Sequence, residues 1–527
     1  MTAVLLLLVS QPIMIMMMLQ IHSSSAFLPS RWIVRASSSA GKTVGSTRRR
    51  AATSLYHSSS SAATVSGTNR TDHNSIASCT STAASVRNNS STNVNVNVST
   101  SNNSKKSEKG IQQAPELPSP DTFPASAFEP RPFFRYELLH QSTKPGSQAR
   151  VGRIHTPHGI IDTPGFVAVA TNGALKGLTF ADADASNQQL VFCNSYHLLL
   201  QPGPEVIAGA GGLHKFVRRT DRPFITDSGG FQVFSLAYGS VHEELSSKGE
   251  LKKSHRNRKN DSNANKNNSP VKVSEEGVLF QSYRDGRKIM LTPESTVQAQ
   301  KAYGADIIIP LDELPPYHID RQRLVDSVAL SHRWEARSLK EHLKDVKEQA
   351  MYCVVHGGLD VELRTQSVEY LTSLPFDGYA IGGSLGSNRT ELMDLLDWMM
   401  PMFDEGHRRD KPRHLLGIAD EEGIRGAVAR GLDTMDSCYP TRVSRHGTFL
   451  TRQGKLHIKS SKHSRSYGIP IDDQCSCSTC RNYDRAYLWH LFKAKEPLFI
   501  QLAAQHNIHF MNDLMAQLRQ DIMENKI

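Results

Sequence analysis

Eight short apolar runs recur in this chain, at 166–170, 190–193, 223–226, 307–311, 352–355, 379–381, 415–418 and 432–435, and each ends in small or polar residues. Segments with helical patterning lie between them, among them 293–303, 321–348, 360–374 and 421–430. Runs that are apolar throughout, rather than alternating, suit strands covered on both faces, and strands that alternate with helices form parallel sheets. Eight such units predict an α/β fold: a (β/α)8 TIM barrel. A doubly wound open sheet is the competing arrangement, but no Gly-x-Gly-x-x-Gly fingerprint follows the first strand.

In such barrels the chemistry collects at the C-terminal ends of the strands. After 223–226 the sequence has Asp227-Ser228-Gly229-Gly230-Phe231-Gln232, and after 307–311 it has Asp312-Glu313. His356-Gly357-Gly358 follows 352–355, and Gly382-Gly383-Ser384-Leu385-Gly386 follows 379–381. Asp436 follows the last run and leads into Ser437-Cys438-Tyr439-Pro440-Thr441-Arg442. Singly, an Asp at a strand end is a helix cap or a turn residue, and Gly-Gly is a tight turn. Acids at three strand ends, with Gly-Gly turns beside them, meeting at one mouth suit chemistry at a glycosidic carbon. One carboxylate attacks as nucleophile, a second moves the proton of the departing group, and a third reads a base edge.

Of the seven cysteines, Cys475, Cys477 and Cys480 fall within six residues, and His506 follows 26 residues later. Three thiolates and one imidazole make the closed tetrahedral set of a structural Zn2+ site, within a subdomain at about 450–515. His490 and His509 are competing choices for the fourth ligand. The scattered remainder, Cys79, Cys193, Cys353 and Cys438, is not the even framework of a secreted disulfide scaffold.

Residues 1 to about 130 are dominated by Ser, Thr, Asn and Ala and cannot bury enough apolar surface to offset their ordering entropy. They read as a targeting presequence and disordered tail, with the globular part at 131–527. Residues 1–20 are apolar like a signal-peptide core; Gln11 and Pro12 interrupt them against a membrane anchor. Beyond Ala26-Phe27-Leu28-Pro29 no acid appears before Asp72, while Arg31, Arg35, Lys42 and Arg48 to Arg50 do. This looks like the bipartite presequence of algae with secondary plastids. It implies plastid import, with a mitochondrion as the alternative, and no membrane in the mature form. The net charge is +10, yet residues 1–130 carry 11 Lys/Arg against 5 Asp/Glu, and residues 245–272 carry 8 against 2. Bulk basicity therefore does not argue for nucleic acid, and an RNA surface must be local. The run 243–272 reads as a basic low-complexity insert, either a solvated loop or an RNA-contacting arm. Lys455, Lys459, Lys462 and Arg465 beside the metal set read as a solvated face or as phosphate contacts.

At these residues the chain resembles the tRNA-guanine transglycosylases, or queuine tRNA-ribosyltransferases. The stretches that carry the resemblance are 151–159 (Val-Gly-Arg-Ile-His-Thr-Pro-His-Gly), 194–199 (Asn-Ser-Tyr-His-Leu-Leu), 226–232, 276–280, 291–294, 436–442 and the Cys3His set. The likeness runs through 133–527 apart from the insert. It implies exchange of guanine at the anticodon wobble position (34) of tRNA for queuine, by a covalent ping-pong route. Carried over, Asp436 attacks C1′ of the ribose and Asp227 protonates the leaving base and deprotonates the incoming one. Asp312 reads the base edge, and Ser228, Phe231 and Gly383 line the pocket, while Arg442 and Arg445 face the tRNA. The wobble base must be turned out of its stack, which an unpaired anticodon makes less costly. The resemblance also implies a dimer, with a homodimer preferred to a heterodimer.

Several positions depart from the family pattern. His356 stands where a base-contacting Gln is usual, and Leu416 where a Met stacks on the base. Ser387-Asn388 replace the usual Gly-Glu, which changes the contact to the exocyclic amine. Gly386 falls where queuine-using members have Gly and users of the smaller bacterial precursor have Val, which points to queuine. A non-catalytic tRNA-binding partner subunit is the alternative function, but both Asp227 and Asp436 are present. A glycoside-hydrolase barrel is a third reading, against which the Cys3His set argues.

Overall fold

The computed structural model describes residues 115–238 and 271–527. The presequence and nearly all of the basic insert lie outside the described residues. The tail boundary at 130 needs correction. Residues Pro120–Thr122 and Ala125–Phe128 form short 3-10 turns, and Phe123 and Ala127 are buried. The Tyr370 hydroxyl donates to the Pro118 carbonyl at 3.0 Å, and Lys340 sits over the Phe123 ring.

An antiparallel meander comes next: β1 (Arg135–Gln141), β2 (Arg150–Thr156) and β3 (Gly159–Thr163). Three barrel strands follow, β4 (Gly165–Val169), β5 (Val191–Cys193) and β6 (Phe224–Thr226). A second antiparallel sheet interrupts the barrel: β7 (Val271–Val273), β8 (Val278–Gln281) and β9 (Lys288–Leu291). Its first strand occupies 271–272, so these two residues are ladder and not insert. The barrel then resumes with β10 (Ile307–Ile308), β11 (Ala350–Val355), β12 (Gly378–Ile381), β13 (Arg413–Leu415) and β14 (Thr434–Ser437). Each strand pairs in parallel with the next and β14 closes on β4, which completes the expected eight-stranded barrel.

Each of the eight expected runs overlaps a barrel strand, but bounds move: β10 keeps only Ile307–Ile308, β11 starts at Ala350, β13 meets the run 415–418 only at Leu415, and β14 extends to Ser437. Register sets the bounds of β13 and β14, since Arg413 pairs with Tyr379 and Asp436 with Val167. Asp436 is thus held inside a strand and does not merely follow one. Alternate residues separate into two cores, as the pleat requires. Val167, Phe192, Ile225, Val354 and Ala380 fill the barrel, while Phe166, Val191, Phe224, Val355 and Ile381 face the helices. Phe134, Ile154 and Ile161 of the meander join the inner core and cover the N-terminal end of the barrel. A buried Arg150–Asp433 ion pair, with the Tyr136 hydroxyl 2.9 Å from the same carboxylate, ties this cover to β14.

After β14 the chain makes the helix Tyr439–Arg445, the hairpin β15 (Thr448–Thr451) and β16 (Gly454–His457), and the cysteine loop. The helix Pro497–Met523 returns to pack on the barrel, burying Met511, Met515 and Leu518 in its outer core. The metal-ligand loop and the barrel wall therefore share one 27-residue helix. No helix among the described residues is long and apolar enough to cross a membrane.

Candidate active site and metal centre

Asp227, just past β6, is gripped on both oxygens. Ser195 N–H donates to Oδ1 at 2.7 Å, and Asn194 Nδ2 and Gln232 Nε2 donate to Oδ2 at 2.9 and 3.2 Å. Ser195 opens the helix Ser195–Leu200, so its free backbone N–H points at the acid as helix N-termini do. Burial nevertheless raises the pKa of Asp227 above the usual carboxylate range, and the charge of Asp436 adds to the rise. Gly229 is required here: its φ is +84° and a Cβ would come within 2.8 Å of Tyr196 N.

Asp436 projects into the same mouth. Its Oδ1 accepts from Gly417 N–H at 2.9 Å and faces His414 Nε2 at 3.2 Å. His414 Nδ1 in turn meets the Thr434 hydroxyl at 2.9 Å, which can donate to it, while the acceptor-only carboxylate of Asp436 calls for Nε2–H. Sequence reasoning missed His414 because it placed the start of β13 at 415. Leu416 packs against the inner core, and stepping back two residues from it reaches His414. Asn194 gave no signal beyond its place at a strand end.

Asp312 completes the set of three acids. Burial pushes its carboxyl up to about 7, with Asp227 and Glu313 adding to the rise. His356 Nε2 lies 3.4 Å from Asp312 Oδ2. Gly383, at φ +73°, leaves its absent side chain facing His356 Nδ1, 3.2 Å from where a Cβ would stand. Ser228 is buried and its hydroxyl accepts from Gly230 N–H at 3.3 Å, while Phe231 is 48% exposed at the rim and Leu416 is half-buried. A cleft of about 290 Å³ opens beside this wall, lined by Pro315, Tyr317, Leu324, His356, Gly358 and Ser384.

Gly386 answers a different need from the one its position suggested. Its φ is +102° and a Cβ would stand 2.7 Å from Glu391 Cβ. The missing side chain faces the helix Arg389–Met399, so the glycine serves loop packing. Glu391 gathers Ser387 N–H at 2.6 Å and the Tyr317 hydroxyl at 3.0 Å, and Asn388 caps the helix. Arg442, Arg445, Lys455, Lys459, Lys462 and Arg465 are all exposed.

Cys475, Cys477, Cys480 and His506 form a group that could hold a metal ion. The three sulfurs lie 3.7, 3.5 and 3.2 Å from His506 Nδ1. Tetrahedral Zn–S and Zn–N bonds imply an S···N edge of roughly 3.6 Å, so the donors fit. His506 Nε2 is 2.7 Å from the Leu450 carbonyl, which takes the ring proton and leaves Nδ1 bare for a metal. His509 instead meets the Ser476 hydroxyl, and His490 stands against Tyr487. A second cluster, His158, His214 and Asp306, sits at the opposite end of the barrel. Both imidazoles and the backbone N–H groups of His158 and Phe224 already engage Asp306. Protein donors thus satisfy that carboxylate, and the group is a structural latch.

An eight-stranded parallel barrel with an acid-lined C-terminal mouth and an appended Cys3His loop is the class these observations define. The family model described as Queuine tRNA-ribosyltransferase matches residues 145–527. The chain is 52% identical over 395 residues to the queuine tRNA-ribosyltransferase of Protochlamydia amoebophila, covering 75% of this chain and 97% of that one. It is 49% identical over 394 residues to proteins of the same name from Chlamydia abortus and Chlamydia pneumoniae, covering 75% of this chain and 99% of each. The chain belongs to the queuine tRNA-ribosyltransferase family.

Proposed function

We propose that this protein is a tRNA-guanine transglycosylase, exchanging guanine 34 of the anticodon for queuine. The observation that carries the reading is the arrangement of Asp436 and Asp227 at one mouth. Among the described residues Asp436 Oδ2 has no protein hydrogen bond, while Oδ1 is anchored by Gly417 and His414. Oδ2 is the oxygen left to attack C1′, expelling guanine as the C1′–N9 bond breaks. The raised pKa of Asp227 suits a group that gives a proton to the departing base and takes one from its replacement. Displacement of the Asp436 ester by the incoming base is a second inversion, so the ribose keeps its configuration.

Queuine is supported by the names of the relatives and by the cleft beside His356, which offers room for a substituent on a 7-deazaguanine. Zinc is supported by the thiolate-rich tetrahedral set, and it would act in folding, away from the reacting atoms. The exposed arginines and lysines beside the metal loop offer phosphate contacts, and a homodimer would let a second subunit seat the tRNA. Plastid import rests on the sequence of the first 72 residues. Incubating the 115–527 domain with tRNA and either queuine or its aminomethyl precursor tests the base choice. Entry of the precursor alone would overturn queuine.

Asp227→Asn should lower kcat for guanine exchange by roughly 10²- to 10⁴-fold, with the thermal midpoint unchanged within a few degrees. Activity near wild type would remove Asp227 from proton transfer. The pH dependence has a definite sign. Asp312 is protonated below about 7 and a carboxylate above it, and only the carboxylate accepts two N–H donors of a guanine edge. Guanine affinity should therefore rise from pH 6 to pH 8 in calorimetric titrations, and Asp312→Asn should flatten the profile.

A further inference from the structure

Behind the base-reading wall two buried polar atoms face each other without a hydrogen bond among the described residues: Glu335 Oε1 and His356 Nε2, 3.5 Å apart. Glu335 comes from the helix Arg321–Leu343 and is wholly buried. Its other oxygen is occupied, accepting from Val354 N–H at 2.8 Å. No cation among the described residues is placed to pair it. Arg364 spends its guanidinium on the carbonyls of Gly358, Val355 and Ser384, and His332 bonds the Ser367 hydroxyl. An unpaired charge in such a place is costly, so the carboxyl keeps its proton. Burial holds its pKa well above the usual range and holds the imidazole of His356 neutral.

A neutral imidazole has one donor and one acceptor nitrogen, and the partner of one sets the role of the other. His356 Nε2 faces Glu335 and Asp312, while Nδ1 faces Gly383 and the pocket. From this geometry we infer that Glu335 is a positioning residue for base recognition: its acid proton is donated to His356 Nε2, so that Nδ1–H is presented to the carbonyl oxygen of the bound guanine-type base. Asp312 accepts from the N–H groups next to that carbonyl, and together they read the acceptor–donor edge. The opposite tautomer, with Nε2–H turned to Asp312, aims a lone pair at the base carbonyl. Glu335 disfavours it by supplying the competing proton. No bond to carbon changes, and the proton stays shared between Glu335 and His356.

This inference rests on the base-exchange reading, and its test separates the two. In ¹⁵N-imidazole spectra of the full-length protein with guanine bound, His356 should carry its proton on Nδ1, both in the wild type and in Glu335→Gln, whose amide also donates. A proton on Nε2 overturns the inference whatever the turnover. In steady-state exchange of labelled guanine, Glu335→Leu should raise the KM for guanine about tenfold and leave kcat within about twofold. Glu335→Gln should restore KM to within about twofold. In a His356→Gln background, where an amide donates without tautomers, Glu335→Leu should add less than about twofold. An equal tenfold rise in both backgrounds marks a merely structural Glu335 and overturns the inference. A wild-type protein that exchanges no guanine overturns the function instead.

Discussion

Asp436→Ala should abolish base exchange, with a loss of roughly 10⁴-fold or more, and should leave no covalent tRNA adduct on denaturing gels. The loss is large because a covalent route has no substitute for its nucleophile. Water in the vacated space gives hydrolysis and not exchange. The substitution removes an acceptor for Gly417 N–H and His414 but fills no space, and the inner core of Val167, Phe192 and Val354 lies below it. Folding should therefore survive, and a normal circular dichroism spectrum would separate lost chemistry from lost structure. Asp436→Asn keeps those contacts while removing the charge, and should fail equally. Labelled guanine still exchanging in either variant would transfer the attack to another group.

The second large effect is removal of the metal. A structural zinc bound by three thiolates and an imidazole is worth about 10–16 kcal/mol in small peptides, comparable with a whole domain's stability. The loop 472–484 has little to replace it, because Cys477 and Cys480 are themselves core residues of the small cluster with Phe449, Ile458 and Leu488. Without the ion, the sulfurs would take up protons and lose the bonds that hold the loop closed. Chelation should therefore unfold the metal loop and hairpin β15–β16, read as a new early melting transition and as fast amide exchange at 448–484. The disturbance should reach the barrel, since His506 and the barrel-packing Met511 and Met515 share one helix. Full activity in metal-free protein would refute a structural role. Cys480→Ala should reproduce the chelated state and Cys438→Ala should not, because Cys438 is exposed and far from the ligand set in sequence.

The parts of this molecule that were legible in advance share a physical cause. Strands buried on both faces are largely apolar, so most of the barrel stood out, and acids that follow such strands lie at the mouth; β13 and β14, which carry Arg413, His414 and Asp436, were betrayed only by the apolar residues beside them. Metal ligands are legible because thiolates close to one another have few other uses. The residues that escaped notice act across long sequence distances. His414 reaches Asp436 from a neighbouring strand, Asn194 reaches Asp227 from 33 residues away, and Glu335 is one charged residue in an amphipathic helix. Nothing local distinguishes a buried Glu from a solvated one.

The sequence by itself therefore determined the barrel, the three acids at its mouth and the metal-ligand set, because each follows from burial, strand–helix order or ligand chemistry along the chain. The tertiary structure decided what each polar group faces. It turned Asp436 so that one oxygen is anchored and the other free, and it assigned Gly386 to loop packing. It also put Glu335 behind His356. Hydrogen-bond direction and tautomer depend on atoms a few ångströms apart in space that are tens of residues apart in the chain, and only closure of the barrel brings them together.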